Sequence, residues 1–239
     1  MKVATMFCDP CPEVIVRAMV KSVRQHMDCE IVQLADMTTP KLDCVDSVQR
    51  LEGTVVSSFL ARHLSQLEGD TLYLDYDTVV REDVSSVFHF DFDLAITKRT
   101  RKEIESRPVF MACPHNVGVM FSRSQEFWRQ MARRYDSRTD DPTWMKFQIV
   151  LTESLNALDF NILELLSERY NYTPETKDED LSNRAIVHYK GPRKAWMVEQ
   201  NEQMSALKGT DMVLEMMQGK HTILSVTKDH PYYAELCQP

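Results

Sequence analysis

Glycine is scarce: the 239-residue sequence has six, at positions 53, 69, 118, 191, 209 and 219. None lies closer than ten residues to the next, so a dinucleotide-binding G-x-G-x-x-G fingerprint is excluded. A Walker A loop ending at Gly219-Lys220 is excluded too, because Leu214 stands where its first glycine would be. Any handling of phosphate must rest on something other than a glycine-rich cradle. Positive charge is also in deficit, with 28 Lys+Arg against 36 Asp+Glu and a net charge of −8. A polyphosphate is bound without specificity by clustered cations that release its counterions, and this composition argues against that mode. The basic clusters are short: Lys98 to Lys102, Arg133-Arg134, and Lys190 to Lys194. The first two read as solvated surface. Long apolar runs are missing. Met1 to Cys8 ends at Asp9 and is too short for a signal peptide, and no stretch approaches the ~20 residues of a membrane span. Six dispersed cysteines do not form a secreted disulfide framework, so a cytosolic location is expected.

The pattern that remains is one of alternating strands and helices. Lys2 to Phe7 reads as a buried strand, followed by a helix from Pro12 through Met27 with Ile15, Met19, Val23 and Met27 on one face. Cys29 to Leu34 is a second strand, Thr54 to Leu67 a helix with Val56, Leu60 and Leu64 inward, and Thr71 to Leu74 a third strand after a Gly69-Asp70 turn. Asp91 to Thr97 and Gly118 to Phe121 are further strands. Ser122 with Gln125 predicts a capping box before a helix carrying Phe127, Met131 and Tyr135. Another helix is expected from Pro142-Trp144 to Leu158, a polar loop from Tyr170 to Asn183, and a strand from Ala185 to Tyr189. The last fifty residues read as helical, with a short strand at Thr222 to Val226. This order implies an α/β domain with a Rossmann-like, mostly parallel sheet flanked by helices, in which ligands sit at the carboxyl ends of the strands.

At such an end lies Leu72-Tyr-Leu-Asp75-Tyr-Asp77. Alternation along an extended chain points Asp75 and Asp77 the same way and Tyr76 the other. Two aligned carboxylates suit a hard divalent cation that keeps positions free for phosphate oxygens. A bare D-x-D is a weak signal, since strand-end carboxylates also serve turns. The second copy here, Asp91-Phe-Asp93, reads as the lead-in to a strand.

The segment GDTLYLDYDTVVREDVSSVF resembles the D-x-D region of nucleotide-sugar glycosyltransferases of the GT-A fold, especially glycosyltransferase family 8. HNVGVMFS, with Asn116 and Gly118, resembles the family's N-x-G strand, which approaches the donor sugar. HYKGPRKAW resembles its H-x-x-G-x-x-K-P-W motif, with Ala195 replacing proline. The resemblance runs to Trp196 and implies one GT-A domain over residues 1–196 with a helical extension over 197–239. It implies Mn²⁺ or Mg²⁺ on Asp75, Asp77 and His188, holding the diphosphate of a nucleotide sugar, expected to be a UDP-sugar. Gly191 would let backbone approach the phosphates and Lys194 would supply a point charge to them. Arg62 and Asp9 would lie near the donor, Asp9 at the nucleotide base. The family's Asp-Gln pair near the sugar becomes Phe147-Gln148 here, which leaves the donor sugar open; Phe147 also reads as core beside Val150 and Leu151. Arg62 and Lys194 could equally be exposed helix residues. The implied reaction is transfer, with retention of configuration, to an acceptor hydroxyl on a saccharide, a protein or a hydroxylated DNA base.

Two other functions compete. Cys8-Asp-Pro-Cys11, between a strand and a helix, is the setting of a thiol-disulfide oxidoreductase. A protein that binds a nucleotide sugar without turning it over is the second, although all three ligand positions are kept. A sugar nucleotidyltransferase would need a glycine-rich N-terminal loop that is not there.

Overall fold

The computed structural model describes residues 1–8, 11–53, 58–139 and 144–199. Asp9, Val56, Pro142 and the expected strand Thr222–Val226 lie outside them.

In chain order the elements are β1 (Lys2–Met6), α1 (Glu13–His26), β2 (Glu30–Ala35), β3 (Ser47–Arg50), α2 (Phe59–Leu64), β4 (Thr71–Leu74), β5 (Thr78–Val80), β6 (Leu94–Lys98), α3 (Arg101–Ser106) and α4 (Val109–Ala112). They continue with β7 (His115–Ser122), α5 (Gln125–Asp136), α6 (Trp144–Ala157), β8 (Ile162–Leu166), α7 (Ser167–Tyr170), β9 (Ile186–His188) and α8 (Lys194–Glu199). Seven strands form one sheet in the order β3-β2-β1-β4-β7-β6-β8. All run parallel except β7, which is antiparallel to both neighbours, β4 and β6. β5 and β9 pair separately as an antiparallel ribbon.

Period-two alternation sorts the strand side chains onto the two faces. Val3, Ile31, Leu72 and Phe121 pack with Ile15, Val16, Met19 and Val23 of α1. Ala4, Val32, Tyr73 and Met120 pack with Phe59, Leu60 and Leu64 of α2 and with Phe127, Trp128 and Met131 of α5. Ile15, Met19 and Val23 are fully buried, worth about 1.5–3 kcal/mol each in hydrophobic transfer, which is what holds α1 on the sheet.

Local differences from the sequence reading have physical causes. The cap of α5 is Ser124, whose hydroxyl accepts from Phe127 N–H at 3.1 Å. Ser122 faces inward instead and accepts from the indole N–H of Trp128 at 2.7 Å, because a buried indole needs an acceptor. The helix expected from Thr54 is described only as Phe59–Leu64. Strands β3 and β8 carry no alternating pattern, being half-buried or exposed edge strands. Within Lys98 to Lys102, Arg99 is 6% exposed rather than solvated, and Thr100 caps α3 in a capping box with Glu103. Asp93 does lead into β6: its carboxylate accepts from Asn161 N–H at 2.8 Å. Among the described residues no helix is long and apolar enough to cross a membrane.

Candidate functional site

β4 and β6 end, and the reversed β7 begins, at one edge of the sheet. There Leu74 leaves β4 into a turn. Asp75 N–H donates to Gly118 C=O at 2.9 Å, and the carbonyl of Asp75 accepts from Thr78 N–H at 3.1 Å and from the Thr78 hydroxyl at 2.8 Å. The chain thereby enters β5, whose Thr78 lies opposite His188 of β9, and Tyr189 N–H donates to Asp77 C=O at 2.8 Å. Asp75 and Asp77 do converge, but through this turn and not through strand alternation.

One ligand atom each from Asp75, Asp77 and His188 lies within 4.8 Å of the other two. His188 Nε2 stands 3.0 Å from Asp77 Oδ1 and 3.6 Å from Asp75 Oδ2, and Lys194 Nζ is 2.7 Å from Asp77 Oδ2. Asp77, His188 and Lys194 are buried and Asp75 is partly open to solvent. Burial pushes the Asp77 carboxyl up, but Lys194 and His188 overcome it and hold the group well below the usual carboxylate range. For Asp75 burial wins, with Asp77 adding to it against the pull of His188, and its carboxyl is raised. A carboxylate disfavoured in this way gains from an added cation. Two carboxylates and an imidazole around one point form a donor set that could hold Mn²⁺ or Mg²⁺.

The glycines take distinct parts. A Cβ on Gly118 would lie 2.2 Å from His188 Cε1, 2.5 Å from its Nδ1 and 2.9 Å from Asp75 Oδ2. Gly118 therefore makes room for two of the three ligand side chains, a closer reason for glycine than an approach to a sugar. Gly191 has φ +61°, and no atom of the described residues lies within 4 Å of where a Cβ would be, so backbone geometry explains glycine there.

Behind the cluster lies a buried polar network. Asn116 Oδ1 accepts from Gly118 N–H at 2.9 Å and from Asn171 Nδ2 at 3.0 Å. Asn171 also donates to Thr97 Oγ1 at 2.8 Å and meets His188 Nδ1 at 2.9 Å. The segment after Tyr170 is a loop as expected, and it supplies Asn171, which no sequence motif marks.

Gln148 is buried, and its Oε1 accepts from the Arg99 guanidinium at 2.6 Å. Arg99 also donates to the carbonyls of Cys113, at 2.7 Å, and His115. Burial pulls the Arg99 guanidinium down from its usual range, yet arginine keeps its charge. Phe147 is core, with its ring 6.4 Å from that of Tyr135. Arg62, on α2, has a buried Nε without a hydrogen-bond partner among the described residues. Among the described residues, no hydrogen bond or ion pair joins Gln148 or Arg62 to the Asp-Asp-His cluster. Lys190, from the third basic cluster, stands 3.6 Å from Glu103 of α3.

Cys8 and Cys11 are free thiols. Cys11 N–H donates to Cys8 C=O at 3.0 Å. Burial pushes the Cys11 thiol up to about 12, the opposite of the depressed value that makes a cysteine reactive.

Solved structures of named glycosyltransferases share this fold. The galactosyltransferase LgtC, solved in complex with donor and acceptor sugar analogues, superposes with a TM-score of 0.54 at 16% identity, covering 92% of this chain and 96% of that one. The glycosyltransferase GlyE of Streptococcus pneumoniae gives 0.59 at 13% identity, over 91% of this chain and 62% of that one. The bifunctional glycosyltransferase WbbM gives 0.53 at 14%, over 91% and 51%. No protein-family model matches the sequence, and no curated protein matches it. The chain has the GT-A fold, and its likeness to family 8 glycosyltransferases is a likeness of fold.

Proposed function

We propose that the protein is a metal-dependent glycosyltransferase that moves a sugar from a nucleotide sugar, expected to be a UDP-sugar, to an acceptor hydroxyl with retention of configuration. The observation that carries this reading is the Asp75–Asp77–His188 cluster, with Lys194 on Asp77, at the edge of a GT-A sheet where its parallel strands end. Its nearest support outside the chain is that neighbours of this fold are named glycosyltransferases, one of them bound to donor and acceptor sugar analogues.

A divalent cation on the three ligands would supply positive charge against the diphosphate as it leaves. Lys194 is the chain's own cation at that place and would share the task. The open space beside Gly191 leaves its backbone accessible to phosphate oxygens. Asn116 and Gln148 are assigned to the donor sugar, where cleavage of the sugar–phosphate bond develops oxocarbenium character. Gln148 comes to that task already fixed by Arg99. Phe147, buried in the core, offers no carboxylate to sugar hydroxyls, so the sugar differs in those contacts from that of family members with aspartate. Asp9 and Arg62 are assigned to the nucleotide. The acceptor is a saccharide, a protein or a hydroxylated DNA base; the neighbour bound to an acceptor sugar analogue favours the saccharide, and the net charge of −8 disfavours DNA.

Screening UDP-sugars for Mn²⁺-dependent hydrolysis without acceptor tests the reading. EDTA is expected to abolish turnover and Mn²⁺ to restore it, and full turnover in EDTA would remove the metal from the mechanism. The Cys8→Ser/Cys11→Ser double variant is expected to keep transferase turnover within about threefold of wild type, since a thiol near 12 is protonated at neutral pH. Complete loss in that variant would return the redox reading.

A further inference from the structure

The hydrogen bonds behind His188 form a chain whose direction is fixed at one end by a group without freedom. Gly118 N–H is a backbone amide and can only donate, so the Asn116 atom 2.9 Å from it is the side-chain oxygen. That oxygen also faces Asn171 at 3.0 Å, and the facing atom must be the Asn171 amide nitrogen. The same nitrogen lies 2.8 Å from Thr97 Oγ1, which uses its second N–H. Both N–H groups of Asn171 are then committed, and its Oδ1 is left for His188 Nδ1 at 2.9 Å. An oxygen there requires Nδ1 to carry the proton. Reversing the Asn171 amide would set its oxygen against Asn116 Oδ1, and reversing both amides would set Asn116 NH₂ against Gly118 N–H. Thr97, Asn116, Asn171 and His188 are each buried, so water does not relieve either mismatch.

We propose that Asn171 is a positioning residue for His188, holding the proton on Nδ1 and the ring in place so that Nε2 presents its lone pair to a divalent cation between Asp75 and Asp77. The inference rests on the metal-binding reading above. His188 Nε2 lies 3.0 Å from Asp77 Oδ1 and 3.6 Å from Asp75 Oδ2. In the metal-free chain a proton on Nε2 would bridge to Asp77; a cation takes that proton's place, and with the imidazole neutral and protonated on Nδ1 the three side chains turn three acceptors toward it. A partner on the far ring nitrogen fixes both tautomer and ring plane, and its loss commonly weakens metal affinity. Asn171 stands at the start of a loop, outside every motif, and its amide ties that loop to β6, β7 and β9 together.

Mn²⁺ titration of the full chain, read by the electron paramagnetic resonance of free Mn²⁺, tests this on wild type, Asn171→Leu and Asn171→Asp. Asn171→Leu removes the acceptor at similar size and is expected to weaken Mn²⁺ binding about 10–100-fold. Asn171→Asp keeps an acceptor for Nδ1–H but sets a second oxygen against Asn116 Oδ1, and is expected to lose clearly less Mn²⁺ affinity than Asn171→Leu. Long-range ¹H–¹⁵N spectra of the metal-free wild type, with His188 assigned through His188→Gln, are expected to show the Nδ1–H form of the neutral ring. Should Asn171→Leu fail to fold, the spectra decide. A neutral ring protonated on Nε2, unaltered Mn²⁺ affinity in folded Asn171→Leu, or a loss in Asn171→Asp as large as in folded Asn171→Leu overturns the proposal. Wild type that binds no Mn²⁺ overturns the metal reading itself, a result distinct from equal binding by wild type and variant.

Discussion

Asp77→Ala is expected to lower sugar transfer about a thousandfold or more and to abolish Mn²⁺-dependent stabilisation by UDP. The carboxylate has two partners in one place, Lys194 Nζ at 2.7 Å on one oxygen and His188 Nε2 at 3.0 Å on the other. In the proposed function, removing it takes away a metal ligand and the group that would hold Lys194 beside the diphosphate, each a source of charge stabilisation that counts for most in a site shielded from water. The fold should survive. Breaking a buried ion pair costs about 3–5 kcal/mol, but the substitution also lifts the repulsion between Asp77 and Asp75, so a net loss of about 1–3 kcal/mol is expected. Thermal melts make the ligand assignment testable apart from turnover. UDP at a hundred times its Kd with Mn²⁺ should stabilise wild type by about 2.7 kcal/mol and the variant by nothing measurable. Equal stabilisation of both would remove Asp77 from the metal set.

Gly118→Ala is expected to be as damaging to activity through a different cause. The added methyl would fall 2.2 Å from His188 Cε1 and 2.9 Å from Asp75 Oδ2, well inside van der Waals contact. His188 cannot yield easily, because its ring is tied to Asn171 and its backbone to β5. Nor can Gly118, whose C=O accepts from Asp75 N–H and whose N–H donates to Asn116. The ligand side chains must part, and a loss of about 2–4 kcal/mol in stability is expected from the overpacking and the broken network. Urea unfolding, Mn²⁺ titration and turnover should all move together. A Gly118→Ala protein with wild-type Mn²⁺ affinity would show that the crowding is absorbed elsewhere.

The sequence made the centre of this fold legible and its margins much less so. Period-two and 3.6-residue patterns located β1, β2, β4, α1 and α5, because those elements bury apolar side chains on a regular face. β3 and β8 escaped because an edge strand buries too little to impose alternation; Ser47–Arg50 is half-buried throughout. That Asp75, Asp77 and His188 come together could be read because two short motifs, far apart in the chain, resemble one known arrangement. Asn171, Arg99 and Thr97 could not, since a buried amide, guanidinium or hydroxyl is chosen by partners that only the folded chain brings near. Gly118 stands in the N-x-G motif, but its crowding by His188 and Asp75 is not legible there: nothing in the sequence says that His188 will lie over it. Ser122 was misassigned as a cap for the same cause, its partner Trp128 being visible only once α5 is packed.

The ribbon of β5 and β9 has a bearing on how the protein assembles. Thr78 and His188 are neighbours in space but 110 residues apart in the chain, 188 less 78, so their pairing closes a large loop, and contacts of that kind tend to slow folding. The sheet from β1 to β4 can organise from closer pairings while His188 is still distant from Asp75 and Asp77. Under the proposed function, competence to bind a cation is expected late on the folding path, and Mn²⁺ affinity would mark the chain that has finished folding.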